Sequence, residues 1–134
     1  KYEKSLDNSI KSMSGFTEIL LQAVDYDGVR RKRRNNFRTY DKRLNSINQL
    51  SLSMSGDAVP FCYPFLPKKH IDRKKLFKKN IFIPRYWEDV YRRKGDNFVF
   101  EKHLSDWLLP LPVDHRYGEE DLGRVVQEVK SLCI

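Results

Sequence analysis

The chain has 134 residues, 40% hydrophobic, 13% aromatic and 33% charged, which is the make-up of one globular domain and excludes a disordered polyelectrolyte, collagen or a membrane span. Lys and Arg number 26 against 18 Asp and Glu, a net charge of +8 that invites a nucleic-acid partner. The excess is uneven: residues 1–50 carry 11 basic and 6 acidic side chains, 51–100 carry 11 and 5, and 101–134 carry 4 and 7.

In chain order, residues 1–14 form a polar, Ser-rich segment whose Tyr2, Leu6, Ile10 and Met13 have the spacing of a marginal helix. Ser14 then caps a short helix over about 16–24, with Phe16, Ile19, Leu20, Ala23 and Val24 as its apolar stripe. Asp25-Tyr26-Asp27-Gly28 breaks that pattern. From Val29 to about Asn48 the residues Val29, Phe37, Tyr40, Leu44 and Ile47 fall within an arc of about 80° at helical pitch, predicting the longest helix. Residues 51–57 read as a loop and 59–66 as a β-prone stretch, with Pro60 and Pro64 confining it to a sheet edge or an irregularity. A short helix from about Asp72 to Lys79 buries Leu76 and Phe77 and ends at Asn80. Ile81-Phe82-Ile83 reads as a second strand stopped by Pro84, and 97–107 as a helix with Val99, Phe100, His103, Leu104 and Trp107 near one face. Leu108–Val113 is a third strand. A last helix starts near Glu119, with acid in its first turn and Leu122, Val125, Val126, Val129 and Leu132 as its stripe. Helices interleaved with short strands predict an α/β (α+β) two-layer sandwich around a small sheet.

Several chemistries are excluded by spacing. No apolar run approaches the roughly 18–20 residues of a membrane span, and no signal-peptide pattern opens the chain. Cys62 and Cys133 have no CxxC partner, which argues against a disulfide framework and for a reducing, cytoplasmic setting. His70, His103 and His115 have no metal-ligand spacing: His103 reads as helix packing and His115 as a turn residue. There is no Gly-rich phosphate loop and no nucleophile–base motif.

Two basic features remain. Arg30, Arg31, Lys32, Arg34, Arg38, Lys42 and Arg43 surround most of the long helix opposite its stripe, as a solvated face does; the alternative is a phosphate-neutralising helix. Arg33 instead projects onto the stripe, where it needs an internal ion pair or a polar cavity. The most site-like cluster is Pro84-Arg85-Tyr86-Trp87 at a strand end, a planar fork beside two aromatic faces. Its alternative is Trp87 in the core and Arg85 in a surface ion pair.

The run Val59-Pro60-Phe61-Cys62-Tyr63-Pro64-Phe65, the helix with Leu76, the segment Ile81-Phe82-Ile83-Pro84-Arg85-Tyr86-Trp87 and then Leu109-Pro110-Leu111-Pro112 resemble the C-terminal small domain of DegT-type pyridoxal-phosphate (PLP) sugar aminotransferases. Arg33-Arg34-Asn35-Asn36 (or Arg31 to Arg34) and the closing helix from Tyr117-Gly118-Glu119-Glu120-Asp121 match further members of that order, so the resemblance covers roughly residues 14–134. It implies the fold of the small domain of a fold-type-I enzyme, with a three- to four-stranded sheet over 15–134, and it implies that the PLP-binding large domain and its Schiff-base lysine lie elsewhere in a longer, homodimeric polypeptide. No PLP is then expected on this chain, and the opening at Lys1 fits a fragment or a processed product. The resemblance further implies that Arg85, Tyr86 and Trp87 approach the substrate, by family habit a keto sugar nucleotide, as the small domain closes over the active site. The family's histidine shortly after the arginine is replaced by an aromatic pair and Glu88, and its Asn-Arg pattern is absent from Met13-Ser14-Gly15-Phe16-Thr17-Glu18. A basic nucleic-acid-binding module and a non-catalytic interaction domain are the other readings; no membrane partner is expected.

Overall fold

The computed structural model describes residues 11–93 and 98–133. The marginal helix read over residues 2–13 lies outside them except for residues 11–13, which are exposed and not helical. The described residues form five helices and two strands, α1 (Gly15–Gln22), α2 (Tyr26–Leu44), β1 (Cys62–Phe65), α3 (Arg73–Phe77), α4 (Val99–Trp107), β2 (Leu109–Pro112) and α5 (Glu119–Cys133), with single 3-10 turns at Asn45–Ile47 and Glu88–Arg92. The architecture is α+β and helix-rich. No helix among the described residues is long and apolar enough to cross a membrane.

Side-chain caps set most helix starts. Ser14 Oγ accepts the Thr17 N–H at 3.2 Å, Asp25 Oδ1 the Gly28 N–H at 2.8 Å and Asp72 Oδ1 the Lys74 N–H at 2.9 Å, each satisfying a donor that the first helical turn leaves unpaired. The Asp25 cap starts α2 at Tyr26, ahead of the Val29 start that apolar spacing gave. Phe37, Tyr40 and Leu44 are its buried face. Tyr63 of β1 packs there, with ring centroids 5.0 Å from Phe37 and 5.7 Å from Tyr40. Leu122, Val125, Val126 and Val129 of α5 complete one core with Leu76, Leu109, Leu111 and Val113.

The sheet holds two strands among the described residues, not the three or four expected. β1 and β2 run antiparallel with Cys62 opposite Pro112, Tyr63 opposite Leu111, Pro64 opposite Pro110 and Phe65 opposite Leu109. The prolines therefore all sit in alternate pairs, and the ladder's N–H donors come from Tyr63, Phe65, Leu109 and Leu111, which a proline one register away would have removed.

The expected strand Ile81–Ile83 keeps alternate burial but forms no strand, for a local reason. Asn80 ends α3 in a left-handed conformation (φ 56°), its N–H bonding Phe77 O at 2.9 Å while the Ile81 N–H reaches back to Leu76 O at 3.0 Å. This is the Schellman arrangement, with Leu76 and Ile81 both buried as its apolar contact. It consumes the Ile81 donor, and Pro84 has none. Too few N–H groups remain to make a ladder.

Candidate functional site

Three interactions fix the turn that carries Arg85, Tyr86 and Trp87. Ser105 of α4 is buried, and its Oγ lies 2.8 Å from Tyr86 O and 3.3 Å from Trp87 O. Trp87 O also accepts the Val90 N–H at 3.0 Å, opening the 3-10 turn. Trp87 itself is left-handed (φ 58°), an uncommon and strained state for a bulky residue. Its ring is 62% exposed and edge-on to Tyr86, so Trp87 is not a core residue.

Arg85 parts from the other two side chains, whose rings meet edge-on with centroids 5.7 Å apart. Arg85 turns along α4, where Nη2 pairs with Asp106 Oδ1 and donates to Tyr91 Oη at 3.1 Å, Nε points to Ser105 O at 3.3 Å, and the guanidinium lies over the Tyr91 ring at 5.0 Å. Asp106 is also 3.8 Å from His70 Nε2, while Arg73 donates to Asp106 O and Leu108 O at 2.6 Å each. Burial, with Arg85 close by, pushes the Arg73 guanidinium down from its ordinary value. Arg85 is thus held in the ion pair that spacing offered as one alternative, with a partner 21 residues away.

Tyr86 lines a cleft of about 190 Å³ with Arg33, Phe61, Cys62, Phe82, Asp114, Arg116 and Tyr117, among others. Neither Arg85 nor Trp87 lines this cleft. Aromatic faces and guanidinium groups together suit a planar or anionic ligand. Arg33 is fixed at the cleft by donating Nε to Pro60 O at 2.8 Å and Nη2 to Phe61 O at 2.9 Å. That corrects the expected ion pair: the group answering the guanidinium is backbone, the carbonyls that lead into β1. Arg34 does the same for the preceding loop, donating to Gly56 O and to Ala58 O, and so is not part of the solvated face. Arg30, Arg31, Arg38, Lys42 and Arg43 are exposed and Lys32 is half-buried, in keeping with a solvated face. Burial pushes the Cys62 thiol up, with Arg33 opposing, so it stays a protonated thiol at neutral pH and a poor nucleophile.

At the cleft's rim Arg116 holds the Asp114 carboxyl down to about 2 through a side-chain hydrogen bond at 2.8 Å. The folded value lies below the ordinary carboxylate one, so this contribution to stability is present above about pH 4 and is lost as pH falls through 2. A carbon-detected NMR titration should place the Asp114 midpoint near 2 and return it to the ordinary range in Arg116→Ala; an unmoved midpoint would show that Arg116 is not the cause.

Of the histidines, His103 packs on Trp107 at 4.7 Å between ring centroids, and His115 lies beside Asp114 at 3.5 Å. No three His, Cys, Asp or Glu groups among the described residues could hold a metal ion. The described lysines are all exposed or half-buried, whereas a covalent PLP site needs a lysine nitrogen desolvated inside a cofactor-sized cavity. These residues do not fit PLP.

No family model matches the sequence, and a search of the curated proteins finds no match. Among solved structures the fold is similar to that of the sugar aminotransferase CalS13 from Micromonospora echinospora, with a TM-score of 0.59 and 23% identity, covering 83% of this chain and 32% of that one. The chain thus spans about a third of the length of the protein it matches. At this identity the likeness establishes the fold, and that fold is the one implied by the resemblance of the sequence motifs.

Proposed function

We propose that this chain is the small-domain portion of a PLP-dependent aminotransferase acting on a keto sugar nucleotide, closing over an active site whose cofactor and lysine are supplied by a large domain of the same polypeptide. The observation that carries the reading is the fold shared with one third of a sugar aminotransferase over 83% of this chain. The surface supports it: α1 buries none of its residues, with Phe16 73% and Ile19 66% exposed, and Val99 and Phe100 of α4 are also bare, as faces that meet another domain would be. In this reading Tyr86 meets substrate from the cleft that it lines with Phe82 and Arg33. Arg85 acts by pinning the turn through Asp106, and Trp87 offers an exposed stacking face. The full enzyme is read as a cytoplasmic homodimer.

The test has two arms. The 134-residue chain treated with PLP and borohydride should show no stable pyridoxyl-lysine adduct; one adduct at a unique lysine would overturn the division of labour. In the full polypeptide Tyr86→Ala should raise KM for a keto sugar nucleotide about tenfold, equivalent to losing roughly 1.4 kcal/mol of contact, with cofactor absorbance unchanged. An unchanged KM in Tyr86→Ala and Trp87→Ala would remove this turn from the substrate site.

A further inference from the structure

A second cavity, of about 110 Å³, shares Phe82, Pro112 and Tyr117 with the aromatic cleft and is lined beyond them by residues of α2 and α5. Its polar groups come from separate elements: Tyr40 from α2, Asn80 from the turn after α3, Tyr117 from just before α5, and Asp121 and Arg124 from α5.

Tyr40 is the informative member. It is fully buried, and its hydroxyl has no hydrogen-bond partner among the described residues, although buried polar groups are nearly always paired. Burial pushes its ionisation up, and Tyr117 and then Asp121 raise it further, so the hydroxyl senses the cavity's other groups and stays an O–H donor at neutral pH. Arg124 is anchored at the rim by donating to Lys79 O. Asp121 is oriented by the Gly118 N–H at 2.8 Å on Oδ2.

The cavity therefore sets one cationic donor, Arg124, and the neutral Tyr40 hydroxyl against one carboxylate, with the Asn80 amide and the Tyr117 hydroxyl able to donate or accept. A simple anion would meet Asp121, and a simple cation would meet Arg124. A molecule carrying both charges on adjacent atoms satisfies each, with charge-assisted hydrogen bonds at both ends. Size narrows the class: a cavity of about 150 Å³ admits benzene, so this one takes about four to six heavy atoms. We propose that the cavity binds a small α-amino acid of the size of glycine or alanine, its carboxylate on Tyr40 and Arg124 and its ammonium on Asp121. This site uses neither Arg85 nor Tyr86 and stands apart from the aminotransferase reading.

Glycine titrated into the 134-residue protein and followed by ¹H–¹⁵N NMR should give saturable shifts in the first two turns of α5. Tyr40→Phe, which keeps the ring packing, should weaken binding at least tenfold. Asp121→Asn, which keeps an acceptor for the Gly118 N–H, should do the same, and acetate and methylamine should each bind at least tenfold more weakly than glycine. If Tyr40→Phe fails to fold, Arg124→Met at an exposed position carries the same expectation. No saturable shift with glycine or alanine, unchanged affinity in the variants, or acetate matching glycine would each overturn the proposal.

Discussion

Phe65→Ala is expected to cost about 3–5 kcal/mol, the range for emptying a buried aromatic position. That is a large share of the roughly 5–15 kcal/mol that holds a domain of this size together. Phe65 is fully buried, stands opposite Leu109, and belongs to a strand of four residues. The sheet has no third strand among the described residues to take up the loss: removing the ring exposes the side of the sheet that meets the core. Phe61, four residues earlier, is 72% exposed, and Phe61→Ala should cost less than about 1 kcal/mol. Urea unfolding at constant m would read both as shifts of the midpoint. Equal losses at the two positions would mean that the Phe61 face is covered.

The contrast between these two phenylalanines also marks how far the sequence carries. Nothing in the uniformly apolar run 59–66 tells Phe61 from Phe65, whereas the 3.6-residue period places Tyr40, Leu44, Val125 and Val129 in the core, because burial imposes a period that local spacing records. The stop at Asn80 is legible as well, since few residues tolerate a left-handed backbone. The segment after it is less so: the strand pattern of Ile81–Ile83 is real as alternate burial, but the ladder fails because a helix cap takes the first N–H. Burial and pairing are separate demands, and periodicity reports only the first. The candidate site shows the same boundary. Arg85, Tyr86 and Trp87 stand out in the sequence by type, yet the direction each takes depends on Asp106 and Ser105 of α4, about twenty residues away. Arg33 is visible as a misplaced charge, while the carbonyls of Pro60 and Phe61 that receive it carry no side-chain signal at all.

Asn48 is the position where such a long-range backbone demand should be largest. Its Oδ1 accepts the Leu50 N–H at 3.1 Å and the Leu66 N–H at 2.9 Å, and its Nδ2 donates to Pro64 O at 3.0 Å and lies 3.4 Å from Tyr63 Oη. One amide thus does for the open side of β1 what a neighbouring strand would do, and the Gln49 N–H on Leu66 O at 2.9 Å extends the match. Asn48→Ala leaves the Leu66 donor and the Pro64 acceptor unpaired at the edge of the core and should cost about 2–3 kcal/mol. Asn48→Asp separates the two halves of the amide. At neutral pH it keeps both accepted bonds but sets a carboxylate against the Pro64 carbonyl, so it should fall well below wild type. That repulsion disfavours the charged form and raises the folded pKa of the introduced carboxyl above its unfolded value near 4. Its protonated form can donate to Pro64 O, so stability relative to Asn48→Ala should rise as pH falls through that raised value. Unfolding midpoints of the three proteins between pH 7 and pH 4 decide it: an N48D protein as stable as wild type at pH 7 would show that donation to Pro64 contributes nothing.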